Sequence, residues 1–112
     1  MAAVGKILGS AKPAAATLTT LFTVGSGKEA TFSIFAANQG AATGKVRIAI
    51  GDANPPGAAE YVVYDDPLAA AGSAGGSKSY GPFAVQAAKL IVVRADTADV
   101  SFVASGFEDS VL

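Results

Sequence analysis

Residues 17–40 read TLTTLFTVGSGKEATFSIFAANQG, two β-branched and aromatic runs on either side of a short glycine turn. In ATFSIFAAN, Phe32 and Ile34 fall on one side of an extended chain, and Thr31, Ser33 and Phe35 on the other. Successive side chains of a strand point to opposite faces, so such a run lays one face on a core and leaves the other for solvent or a partner. The alternation recurs in KVRIAI, where Val46, Ile48 and Ile50 oppose Lys45, Arg47 and Ala49. It recurs again in DVSFVAS, where Val100, Phe102 and Ala104 oppose Ser101, Val103 and Ser105. KLIVVRAD is apolar on both faces, as a central strand buried on both sides would be. VGSGKE (24–29) can close a hairpin between its neighbours, because glycine reaches positive φ cheaply.

Outward from this stretch, strands are predicted near residues 3–8, 17–24, 29–38, 44–51, 59–65, 77–85, 88–95 and 99–107. GDANPPGAA (51–59) is a loop, since Pro55 and Pro56 cannot donate to a strand ladder. PLAAAGSAGGSKS (67–79) reads as a small, flexible loop, its glycines arguing against a short helix at 68–71. Short strands with helical periodicity nearly absent predict an all-β, antiparallel β-sandwich, Ig-like or jelly-roll-like, of about eight strands with little or no helix. The 112 residues fit one domain, with 1–12 as an N-terminal arm or edge strand and 13–112 as the sandwich.

Charged residues make up 15% of the chain, against about 25% in ordinary domains, and hydrophobic residues 51%. The eight lysines and arginines are scattered and the net charge is −1, so no basic footprint for nucleic acid is present. The uncharged run Pro13–Gly27 is broken by threonine and glycine and falls short of the roughly 20 apolar residues of a membrane-spanning helix. The opening MAAVGKILGSAKPAAATLTTLFTV is threonine-rich in its apolar part and reads as strand rather than as a signal peptide. Cysteine and histidine are both absent. Disulfides, thiolate metal sites and Ser–His or Cys–His nucleophilic pairs are thereby excluded, and a reducing cytoplasm is compatible with the composition. The expectation is a protein that is not an enzyme and carries no cofactor or metal.

Four groups of residues invite a chemical reading. Asp65 and Asp66 could join Asp52 or Asn54 around calcium, but no EF-hand spacing is present, and a strand end before Pro67 is the simpler account. GSGK (25–28) lacks the spacing of a phosphate loop and is followed by a strand, so it reads as a turn. Tyr61, Tyr64 and Tyr80 could offer a sugar-stacking platform, although Tyr61 and Tyr64, three apart on a strand, are expected to face opposite ways. Asp96 and Asp99 flank the turn ADTAD, where carboxylates bond local backbone amides.

MAAVGKILGSAKPAAA (1–16) is the segment that best suits binding. It is apolar, rich in small residues and expected to be ordered from its first residue. As an arm it would add a strand to a neighbour's sheet edge, with Ala2, Ala3, Val4, Ile7 and Leu8 as partner-binding residues. The plainer alternative makes residues 3–8 an edge strand of the same domain. Alanine is the commonest residue, and alanine on an exposed sheet face gives a flat, low-charge surface suited to close packing against a neighbour.

The succession of Thr19–Val24, Asn38–Gly40, Tyr61–Asp65 and Ser101–Glu108 resembles a group of small β-sandwich proteins among the virion components of tailed bacteriophages. In that group a Thr-Thr-Leu-Tyr-Thr-Val turn leads into a strand ending Asn-x-Gly. A Tyr-x-x-Tyr-Asp strand and a closing Ser-Phe-x-x-x-Gly-x-Glu strand follow. This chain departs from the pattern at Phe22, at Gly25 and in its longer glycine-rich loop at 72–76. The resemblance covers the chain from about residue 13 and implies a structural, non-enzymatic role. That role is a capsid decoration (cement) protein binding neighbouring major capsid subunits, or a tail, neck or fibre component. It further implies other virion proteins and a homo-oligomer as partners, and a place on the capsid surface after assembly in the host cytoplasm. A reading from a different class, a carbohydrate-binding β-sandwich module, requires exposed coplanar aromatics.

Overall fold

The computed structural model describes residues 5–111. Its strands are β1 (Lys6–Ala11), β2 (Thr19–Thr23), β3 (Lys28–Asn38), β4 (Gly44–Gly51), β5 (Tyr61–Leu68), β6 (Ser77–Val85), β7 (Leu90–Ala95) and β8 (Val100–Ser110), with one short 3-10 turn, Ala58–Glu60. They form two four-stranded antiparallel sheets, a front sheet ordered β1–β8–β3–β6 and a back sheet ordered β2–β7–β4–β5. The protein is an all-β sandwich. First strand pairs with last, second with seventh, third with sixth and fourth with fifth, which is the nested order of a jelly roll rather than an immunoglobulin sandwich.

One consequence corrects the reading of residues 17–40. β2 lies in the back sheet and β3 in the front, so the glycine turn is an arch between layers and not a hairpin. Both flanking strands carry apolar side chains that must reach the same core. They meet face to face, and Phe22 packs edge-on against Phe32 with ring centroids 4.9 Å apart. Glu108 holds the arch by accepting a 2.8 Å bond from the Gly25 amide. Among the described strands, only the β4–β5 connection stays within one sheet.

The interior follows the alternation. Phe32, Ile34, Phe102, Ala104, Val46 and Ile48 are all buried between the sheets. β7 sits between β2 and β4, and Ile91, Val92 and Val93 are buried on both of its faces, as KLIVVRAD suggested. The central pairs β3–β8 and β4–β7 keep unbroken register, whereas all four ladders to edge strands contain a register shift. Bulges at the edges twist the free backbone away from further pairing.

A further correction concerns a loop. The 67–79 segment is strand to Leu68, and the loop after it is knitted down rather than loose: Ala71 donates to the Gly40 carbonyl at 2.9 Å, and Asn38 donates its amide to Gly76 at 2.8 Å. The Asn38 side chain, 4% exposed, donates to the carbonyls of Ala42 and Leu68 and accepts from the Gly40 amide. One buried amide thus ties the β3–β4 corner to the end of β5. Its replacement, Asn38→Ala, is expected to destabilise the fold by about 2 kcal/mol in denaturant unfolding, because buried backbone groups lose their partner.

Backbones approach most closely at Gly106, where a Cβ would strike the Thr31 carbonyl and the Phe32 Cα. Neither backbone group can move aside without disturbing the central ladder. Gly106→Ala is expected to cost about 1–3 kcal/mol. Gly5→Ala, whose Cβ would touch only the Phe107 ring at an ordinary 3.6 Å, should change stability by less than about 0.5 kcal/mol.

Candidate functional site

The expected binding arm falls in two parts. Ala2, Ala3 and Val4, and the expectation that the chain is ordered from its first residue, lie outside the described residues. Ile7 and Leu8 belong to β1, which pairs with β8 as an edge strand of its own front sheet. Leu8 packs on the core, and Ile7 points outward, 60% exposed. Where Gly9 passes β2, a Cβ would collide with the Leu21 carbonyl, so the edge of the sandwich is pinched shut there.

The outer surface of the front sheet has a composition unlike the rest. β8 contributes Ser101, Val103, Ser105 and Phe107, β3 contributes Thr31, Ser33, Phe35 and Ala37, and β6 contributes Ser77 and Ser79. None of these side chains is ionisable. Phe35 and Phe107 remain about half exposed, at 48% and 47%. Phe35, paired with Val103 on one side and Ser79 on the other, lies in a shallow depression with Ala37, Ser77, Ser101 and Lys78, whose ammonium is turned to Asp66. Charge returns at its margins: Glu29 and Asp109 sit directly opposite each other at one end, and Lys12 lies beside Ser101 and Val103.

The back sheet presents different chemistry. Arg47 and Arg94 are cross-strand partners in β4 and β7. Arg47 donates two bonds to Asp65, at 2.6 and 3.2 Å, and its guanidinium lies 4.0 Å over the Tyr64 ring. The hydrogen bond from Arg47 holds the Asp65 carboxyl below its ordinary range. Asp65 has φ 53°, the left-handed region that aspartate tolerates better than most side chains, and the β4–β5 register shifts in this stretch. A second shift, between the Ile48–Val63 and Ala49–Tyr61 pairs, falls between the two tyrosines and overturns the expectation for them. Tyr61 and Tyr64 come to the same side, with centroids 5.2 Å apart and rings at 88°. Perpendicular rings are not the coplanar platform a sugar-stacking site requires.

Asp66 turns the other way, to the gap between the sheets. It accepts from the Tyr80 hydroxyl at 2.6 Å and from Lys78 at 3.2 Å, both on β6. This clasp joins the edge strands of the two layers. The Tyr80 hydrogen bond, with Lys78 helping, lowers the Asp66 carboxyl from its usual value, and burial, with the same bond, raises the Tyr80 phenol. Tyr80 therefore belongs to the frame of the sandwich. Sequence spacing held a signal for this: Lys78 and Tyr80 are two apart and share a face.

The proposed calcium group does not assemble. Asp65 and Asp66 diverge, Asp52 pairs with Lys89, and Asn54 donates to the Leu18 carbonyl. Among the described residues no cluster of three or more acidic side chains could hold a metal, and no helix is long and apolar enough to cross a membrane. GSGK turns directly from β2 into β3. Asp99 bonds locally to Thr97, but Asp96 reaches across to the amide of Lys45 at 2.8 Å, against the expectation of a local contact. No family model, curated protein or solved structure matches the chain.

Because Asp66 is more acidic in the folded than in the unfolded state, its contribution is complete above about pH 4 and fades as pH falls through the folded value. Tyr80→Phe should lower stability at neutral pH by about 1 kcal/mol, a small figure because the carboxylate is partly solvated. The gap between variant and parent should narrow in acid, as read by urea unfolding at stepped pH.

Proposed function

We propose that the chain is a structural component of a tailed-bacteriophage virion. Specifically, it is a decoration (cement) protein that stabilises the head by binding neighbouring major capsid subunits on the capsid surface. The observation that carries this reading is the uncharged outer surface of the front sheet, with Phe35 and Val103 at its depression. The sequence resemblance to virion β-sandwich proteins supports the same role.

The physics suits attachment better than turnover. Burial of apolar surface contributes about 25 cal/mol per Å², less the ordering costs of association. A flat sheet face can bury area without ordering a loop. Repetition over a symmetric shell lets individually weak contacts count many times. With no ionic side chain among the outward residues around Phe35 and Val103 on β3 and β8, this surface loses little when water is expelled there.

Phe35→Asp combined with Val103→Asp should cut occupancy on purified heads by at least about tenfold, since two carboxylates would be buried without partners. Both positions face outward but are cross-strand partners, so the opposed aspartates should cost about 1 kcal/mol of stability, and occupancy is compared at a temperature where the variant remains folded. Ser26→Asp, in the exposed arch, should leave occupancy unchanged. Full occupancy by the double variant would contradict the reading. Stoichiometry assigns the location: copies on the order of hundreds per particle indicate the head, and a handful indicate the tail, neck or fibre.

A further inference from the structure

The back-sheet patch carries Lys45, Arg47 and Arg94; Asp65 answers Arg47 and Asp96 lies beside Lys45, so the surplus is one positive charge, that of Arg94. Arg94 is half-buried in the middle of the sheet and directly opposite Arg47, yet forms no ion pair among the described residues. Like charges directly opposed across a ladder are unfavourable. The outer surface of the front sheet carries the mirror of this arrangement. Glu29 and Asp109 are exposed cross-strand partners in β3 and β8, and neither is paired with a cation among the described residues.

We infer that the basic back-sheet patch around Arg94 of one copy docks on the Glu29–Asp109 end of the front sheet of a second copy. Two opposed guanidinium-bearing positions and two opposed carboxylate-bearing positions share the spacing of antiparallel partners, about 5 Å between Cα atoms. The unpaired charge of Arg94 meets two unpaired carboxylates. Each patch, unfavourable alone, is relieved by the other. The contact joins different patches, so it is heterologous and builds a ring or a chain of copies rather than a two-fold dimer. Arg47, fixed by Asp65 and stacked on Tyr64, and the exposed Tyr64 ring supply the rigid arginine and tyrosine anchors that strong protein contacts favour.

This association stands independently of the virion reading and is compatible with it. The acidic end lies six residues along both strands from Phe35 and Val103, or about 20 Å, so the apolar depression stays open to another partner. Nucleic acid fits the patch less well. A surplus of one charge is too small for backbone-driven binding, which draws on many phosphates.

Sedimentation velocity at low ionic strength tests the inference. The parent protein should self-associate, and added salt should reverse it. Arg94→Glu, and separately Glu29→Lys with Asp109→Lys, should each weaken association by at least about tenfold. Arg94→Glu removes a like-charge opposition and the double lysine variant exchanges one for another, so neither should lower the unfolding midpoint. An equimolar mixture of the two should associate again, because one keeps the acidic end and the other the basic patch. A monomeric parent, unimpaired variants, or a mixture that stays monomeric would each overturn the inference. So would Arg94-dependent binding to a DNA duplex without self-association.

Discussion

The ladder between β3 and β8 is the constraint on which the rest depends. Eleven consecutive residue pairs, from Lys28 with Ser110 to Asn38 with Val100, run without a register shift. Because side chains alternate strictly along it, one fixed register sends Phe32, Ile34, Phe102 and Ala104 to the core and Phe35, Val103 and Ser105 to the outside. A slip of one residue would exchange the two sets. Gly106 is where this ladder tolerates no side chain, and Glu108 at its end fastens the arch into β3. The fold and the proposed binding surface are two sides of the same eleven pairs.

Around that spine the sandwich closes by different means at its two edges. At one, β1 crosses so near β2 that Gly9 leaves no room for a Cβ. At the other, Asp66, Lys78 and Tyr80 link β5 to β6 by charge-assisted hydrogen bonds. Breaks in register are confined to the ladders of edge strands, so the free edges are irregular while the sheet centres are flat. A molecule of this kind offers its faces to partners more readily than its edges. That weighs against strand addition by a β1 arm, since β1 is already used within its own sheet.

The strands were legible because alternation is a local property. β4 and β6 cover the predicted residues, and the inward and outward sets of β3, β4 and β8 agree with the sequence pattern. What decides layer assignment is not local. A glycine turn such as 24–29 serves a hairpin or an arch equally, and only the competition for β7 and β8 as partners chooses between them. Tyr61 and Tyr64 were misplaced for a related reason: period-two counting fails across a bulge, and the shift between Val63 and Tyr61 leaves no mark in the run Tyr-Val-Val-Tyr. The opposition of Arg47 and Arg94 was hidden for want of register, although each arginine sat on a predicted strand. The uncharged front face, by contrast, was foreshadowed by a low charge content and by serine, alanine and threonine at the outward positions.

The two sheets thus turn different chemistry outward, one neutral and apolar, the other basic and aromatic, on a frame with Cα extents of 47 × 28 × 18 Å. The central claim is that the neutral face is the attachment surface. Hydroxyl-radical footprinting of the free chain and of the chain bound to purified heads tests it most directly. The account expects Phe35, Val103 and Phe107 to lose reactivity on binding while Val62, exposed on β5, keeps its own. Unchanged reactivity at Phe35 and Val103 in fully decorated heads would contradict it.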